Sequence, residues 1–123
     1  MKAHTKNFFV YLENERGLSA RTLKAYQRDL DQLLQFLETD EIESPRHVTQ
    51  HHIRAFIAHR HRQGVGGKSL QRSLSAVRSL FRWLIREGLA DHNPATPVRA
   101  PKSPRHLPAT LDADTIAQLL DIP

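Results

Sequence analysis

The side chains best able to do chemistry in this sequence are cationic, and they gather in one stretch. From Lys68 to Glu87 the chain reads Lys-Ser-Leu-Gln-Arg-Ser-Leu-Ser-Ala-Val-Arg-Ser-Leu-Phe-Arg-Trp-Leu-Ile-Arg-Glu, with no carboxylate before Glu87. Arginines mixed with small hydroxyl residues suit the phosphates and base edges of a duplex groove. The competing reading is a solvated basic helix. Other reactive groups fare less well. Tyr11 and Tyr26, the only tyrosines, fall at apolar positions of helical patterns, where packing with a satisfied hydroxyl outweighs nucleophilic work. His51, His52, His59 and His61 crowd one segment, but they pair at spacings of one and two with no carboxylate or thiol beside them. A helix-borne metal site wants ligands at i and i+4. Gly64 to Ser69 imitates a nucleotide-binding phosphate loop, yet Arg62 occupies the place of its first glycine and a helical pattern precedes it instead of a strand. A glycine hinge that brings Lys68 and Ser69 close to a phosphate is the better account.

The distribution of charge sharpens this. The 123 residues carry a formal net charge of +5. Residues 1–45 hold six Lys/Arg against eight Asp/Glu, residues 46–105 hold twelve against two, and residues 106–123 hold none against three. Clustered cations of this kind are rewarded by phosphate neutralisation irrespective of base sequence, so nucleic acid is the first partner to consider. A basic membrane-surface binder competes, but no segment has the length of a spanning helix and the N-terminus has no apolar signal region. A soluble, cytoplasmic chain is expected, without a membrane partner. The absence of cysteine removes disulfides, thiolate metal sites and cysteine nucleophiles, and fits a reducing compartment.

Four helices must position these groups. Residues 3–16 place Phe8, Phe9, Tyr11 and Leu12 in a helical pattern that stops at Gly17, a residue suited to a left-handed cap. Ser19 stands as the N-cap of a second helix whose buried face reads Leu23, Tyr26, Leu30, Leu33, Leu34 and Leu37. Its other face begins with Arg21, Lys24 and Arg28, cations in the turns where the helix dipole disfavours them. Bound phosphate would account for that placement; partial compensation by Asp29 and Asp31 is the alternative. Pro45 closes an acidic turn, and Thr49 caps a third helix over 50–63 with Ile53, Phe56 and Ile57 inward and Gly64 at its end. In the fourth helix Leu70, Leu74, Val77, Phe81, Leu84 and Ile85 form the apolar stripe, and Gly88 ends it.

The composition then changes. Pro94, Pro97, Pro101, Pro104 and Pro108 alternate with Arg99, Lys102 and Arg105, which predicts an extended, semi-rigid basic tether over 93–109. Residues 110–123 read as the first helix of a further domain, capped at Asp112 and apolar at Ile116, Leu119 and Leu120, severed from what it would pack against and so frayed.

In order and spacing, several pieces resemble the N-terminal core-binding, SAM-like domain of tyrosine recombinases of the phage-integrase superfamily, Xer type. They are Gly17-Leu18-Ser19 with Thr22-Leu23, Tyr26 to Leu30, Leu74 to Phe81, Asn93-Pro94, and Ala100 to Pro108 with Leu119 to Ile122. The resemblance covers essentially the whole chain. It implies an all-α fold, a compact four-helix domain over 1–92, that clamps double-stranded DNA together with a separate catalytic domain, its second and fourth helices against major grooves. It assigns DNA contact to Arg21, Thr22, Lys24 and Arg28, and to Lys68, Ser69, Gln71 and Arg72. By side-chain chemistry Arg72 is the base reader and Lys68 the phosphate anchor. Arg78 lies near the core edge, where it either meets DNA or anchors a loop. The family's reaction, strand exchange through a 3'-phosphotyrosyl bond, uses a constellation absent from these residues, so the chain is expected to bind DNA and leave cutting to a catalytic domain. No metal or nucleotide cofactor is implied. The resemblance further implies an intact enzyme that pairs with a XerD-like recombinase to resolve chromosome dimers before division. The fragment itself is expected to be a monomer in solution.

Two other function classes remain open on sequence. A basic helical protein-interaction module would use the apolar helices and would bind with little dependence on salt. A stand-alone helix-turn-helix regulator needs a tight join between two short helices, and Gly64 to Gly67 is long for that.

Overall fold

The computed structural model describes residues 1–101. Four α-helices account for most of them: α1 Lys2–Tyr11, α2 Ala20–Thr39, α3 Gln50–Arg62 and α4 Gly67–Arg86. No strand occurs among the described residues, so the all-α expectation holds. Helix α1 does not end where its apolar pattern ends. A wider π-helical turn over Leu12–Arg16 continues it to Gly17, which takes the left-handed conformation at φ 63°. Leu12 stays in the core through that change of pitch.

Local chemistry fixes the other ends. Ser19 accepts from the Thr22 amide at 3.2 Å and starts α2, and Thr49 accepts from the His52 amide to start α3. His52 returns the bond, its Nδ1 accepting from the Thr49 amide at 2.9 Å, so the imidazole does what Glu or Gln does in the usual capping box. Helix α3 and α4 each close at a glycine with positive φ, Gly64 and Gly88. The amide beyond each glycine reaches back to close the last turn, Val65 to Arg60 O at 3.1 Å and Leu89 to Leu84 O at 2.8 Å.

Helix α4 is the centre of the bundle and packs against α1, α2 and α3. Its Leu70, Leu74, Val77, Leu80, Phe81 and Leu84 are buried with Phe8 and Leu12, with Leu30, Leu33 and Leu37 of α2, and with Ile53, Phe56 and Ile57 of α3. Some expected core residues differ, Leu23 and Tyr26 of α2 being only half-buried against the core. Ile85 is 41% exposed, because it sits at the edge of the stripe in the last turn of α4, and Leu34 is only half-buried, facing the acidic end of α2.

After α4 the chain turns back onto it. Pro94, Ala95 and Val98 are buried, and Asn93 accepts from the Ala95 amide at 3.2 Å while donating to Arg78 O at 3.2 Å. The first residues of the proline-rich stretch therefore pack on the helical body. The rest of the expected tether, 102–109, and the helix expected over 110–123 lie outside the described residues.

Candidate nucleic-acid interface

The eight residues expected to meet DNA divide between the first turns of α2 and those of α4. Arg21, Lys24 and Arg28 follow one another at helical spacing on α2, and all three are exposed. Among the described residues none of them has an ion-pair partner. The compensation open on sequence, through Asp29 and Asp31, is not made: Asp29 turns inward to other arginines, and Asp31 pairs with none of the three. Thr22 lies beside them but half-buried, its hydroxyl accepting from Ser19 Oγ at 3.0 Å as part of the helix cap.

On α4, Lys68 and Gln71 are exposed and Ser69 is half-buried. Gly66 is the N-cap and provides no side-chain oxygen, so the first amides of α4 lack a capping acceptor. Lys68, Ser69 and Arg72 share a face at spacings of three and four.

Arg72 is the point at which the two helices are joined. Its Nε donates to Asp29 Oδ2 at 2.8 Å and its Nη2 to Asp29 Oδ1 at 3.1 Å, a bidentate pair between α4 and α2. The hydrogen bonds to Asp29 hold the guanidinium above its ordinary pKa in spite of partial burial. Arg60 of α3 reaches the same carboxylate, Nη1 to Oδ1 at 3.1 Å, and donates to Ser73 Oγ at 2.6 Å. Three helices thus converge on one carboxylate. Because Asp29 adjoins Arg28 in sequence and Arg72 lies one turn from Lys68, this bridge sets the cationic turns of α2 and α4 side by side.

The residues set aside on sequence take structural positions. Tyr11 packs against Phe8 and Trp83 with the Arg86 guanidinium 4.7 Å from its ring centroid, and Tyr26 packs half-buried on the core. Among the described residues no group of three or more potential ligands is arranged to hold a metal. No helix among them is long and apolar enough to cross a membrane. Arg78 anchors the exit loop, its Nε and Nη2 donating to Ala95 O and Val98 O at 3.2 and 2.6 Å.

Two features escaped the reading of the sequence. One is the role of Asp29 and Arg60 as buried partners of Arg72. The signal was present: Asp29 lies on the stripe of Tyr26, Leu30 and Leu33, and Arg60 one turn beyond Phe56 and Ile57, so each charge sits where apolar side chains face inward. The other is a groove of about 260 Å³ between α3 and the exit segment, lined by Arg54, His61, Arg62 and Arg99. Arg54, His61 and Arg62 share α3, and only the fold brings Arg99 of the exit segment beside them.

Comparison with known proteins identifies the family. Residues 5–88 match the family described as phage integrase, N-terminal SAM-like domain. The chain is 48% identical over 114 residues to the tyrosine recombinase XerC of Stutzerimonas stutzeri, which covers 93% of this chain and 38% of that protein. It is 43% identical over 121 residues to XerC of Pseudomonas syringae pv. tomato, and 45% identical over 121 residues to XerC of Pseudomonas aeruginosa, each covering 98% of this chain and 40% of the relative. The chain spans about two fifths of the length of the curated relatives it matches. With three helices around a central α4 and a match that runs from α1 to the end of α4, the chain belongs to the phage integrase N-terminal SAM-like domain family.

Proposed function

We propose that this chain is the DNA-gripping part of a site-specific tyrosine recombinase, with α2 and α4 laid against a duplex half-site. The observation that carries the reading is the pair of cationic helix starts, Arg21, Lys24 and Arg28 beside Lys68, without carboxylate partners among the described residues and joined by the Asp29–Arg72 bridge. Unpartnered cations at helix starts cost stability in the free protein and gain it when phosphate arrives. In this reading Arg21, Lys24, Arg28 and Lys68 hold backbone, Thr22, Ser69 and Gln71 line the groove, and Arg72 reads a base. Strand cleavage and rejoining fall to the rest of an intact recombinase, which works in the cytoplasm with a XerD-like partner to resolve chromosome dimers.

Fluorescence anisotropy tests it. A labelled duplex carrying a Xer-type half-site is titrated with the 123-residue chain at several salt concentrations beside a scrambled duplex. Binding that falls steeply with salt and favours the half-site is the expected result. Salt-dependent binding without preference would assign the specificity to the rest of the recombinase, and no binding at low salt would sink the proposal in favour of a protein-interaction module.

A further inference from the structure

Asp29 stands where an apolar residue would, 1% exposed on the inner stripe of α2, and both its oxygens are occupied by Arg72 and Arg60. A buried ion pair is on average no more stabilising than apolar side chains of the same volume, so stability gives little reason for it. Geometry gives a better one.

Arg72 spends its side-on edge on Asp29, since Nε and Nη2 are the atoms that donate. A guanidinium has five N–H groups in a fixed fork, so three remain, and the end-on pair, one from each Nη, faces away from the carboxylate. That pair can meet guanine O6 and N7 in a major groove. Arg72 is 37% exposed and can offer it, whereas Arg60, 13% exposed, is already engaged with Asp29 and Ser73. Charge follows the same logic. Asp29 alone would cancel Arg72 and leave a neutral contact facing a polyanion, but with Arg60 the three groups carry a net positive charge. A clamped arginine also has little rotamer freedom left to lose on binding.

We infer that Asp29 is a positioning residue for base recognition: it clamps the Nε edge of Arg72 from inside the bundle and presents the opposite edge of the guanidinium to a guanine, with Arg60 keeping the cluster cationic. The inference rests on the reading of α4 as a groove-facing helix.

The clamp is tested first without DNA, by 15N relaxation of the Arg72 Nε–Hε group in the 123-residue chain. An order parameter near the rigid value of about 0.85 is expected, falling below about 0.6 in Asp29→Asn. A mobile Arg72 Nε in the unsubstituted chain overturns the inference whatever the chain binds. The second arm selects duplexes from a library with a randomised window. The unsubstituted chain should enrich guanine at one position, and Asp29→Asn should lose about tenfold of that enrichment there alone, with affinity for the unselected library retained, as one bidentate contact is worth. Loss at every position together, with affinity, would mark Asp29 as holding only the fold. Should Asp29→Asn not fold, Arg72→Lys keeps a partner for Asp29 but has no fork, and unchanged guanine enrichment in that variant overturns the inference. A chain that retains no duplex at low salt removes the DNA reading, and the base-recognition role with it, while the relaxation result still reports the clamp.

Discussion

Arg78 donates to Ala95 O and Val98 O, and its own main-chain carbonyl accepts from Asn93 Nδ2. Hydrogen bonds from a charged donor are each worth roughly 1.5–3 kcal/mol when part-buried, and the helix contributes the third bond without further ordering. Arg78→Met keeps the length of the stem and removes both donors. It should lower stability by about 3 kcal/mol or more in urea unfolding and speed hydrogen exchange at Val98, whose amide closes a turn onto Ala95 O. An unchanged Val98 exchange rate would mean that the loop holds itself. A second knot fastens the far end of α4. Arg46 donates to Gly88 O at 2.7 Å, and the His92 ring lies between Asp91 Oδ1 at 2.8 Å and Val48 O at 2.9 Å. Only the imidazolium can donate to both. The hydrogen bond to Asp91 and that to Val48 O raise His92 above the ordinary 6.5, and His92 lowers Asp91 below 3.8. A raised histidine contributes stability that is full below 6.5 and is lost as pH rises through the folded value; a lowered aspartate contributes stability present above 3.8 and lost as pH falls through its folded value. The knot should therefore be tightest between 3.8 and 6.5 and loosen as pH rises through the raised His92 value. The check is the NMR titration of the His92 ring, whose midpoint should lie above 6.5 and move down in Asp91→Asn.

Among the helices, three end in the same wrapped turn, but only two of them do so at glycine. At the end of α2 the left-handed position is Glu41, φ 59°, with its amide bonded to Glu38 O and the next amide, of Ile42, to Leu37 O, both at 3.0 Å. An L residue there is strained by roughly 1 kcal/mol, and a carboxylate at a helix C-terminus adds an unfavourable dipole interaction. Glu41→Gly removes both terms and gains chain entropy in the unfolded state, which offsets part of the benefit. We expect a net gain of about 0.5–1 kcal/mol, seen as a higher urea midpoint at unchanged m-value. A lower midpoint would show that the Glu41 side chain makes a contact worth more than the strain. The sequence made the helices readable through just such local signals: Ser19, Thr49, Gly17, Gly64 and Gly88 stand where the structure caps or closes an element. It made the cationic starts of α2 and α4 readable too, because exposure of Arg21, Lys24 and Lys68 follows from helical periodicity alone. What periodicity could not supply was the pairing of elements. Asp29, Arg60 and Ser73 each interrupt an apolar stripe, and each alone suggests only that a buried polar group needs a partner. That the three meet one another, and take Arg72 with them, depends on how α2, α3 and α4 are placed across the bundle. The packing of Pro94 to Val98 was hidden for a similar reason: proline spacing predicts an extended path, whereas residues 94–97 turn, with the Thr96 and Val98 amides bonded to Asn93 O and Ala95 O, and Arg78 holds them against α4.

For the whole molecule the decisive property is the separation of its charges. Helix α2 carries Arg21, Lys24 and Arg28 in its first half and Asp31 and Glu38 in its second, where Glu38, Glu41 and Glu43 border a groove beside Met1. At 1.5 Å per residue Glu38 lies about 15 Å along the axis from Arg28, roughly twice the Debye length of ~8 Å at physiological ionic strength. Glu38 therefore adds little to the field at the cationic starts, although Asp31, one turn from Arg28, lowers it there, and the domain would meet a polyanion with one end turned toward it. Four phosphate contacts, one each for Arg21, Lys24, Arg28 and Lys68, predict that log K falls with log salt at a slope of about −3.6 on B-DNA. Lys68→Ala should reduce that magnitude by about 1 and weaken matched and scrambled duplexes alike, because an ammonium on a flexible stem holds phosphate without reading bases. Glu38→Gln removes a charge of the opposite sign at the other end and should leave the slope where it was. The three slopes come from one anisotropy series over salt. A Lys68→Ala slope equal to the parent's, or a Glu38→Gln slope that moves as far as the lysine variant's, would mean that net charge and not the paired starts of α2 and α4 draws this domain to DNA.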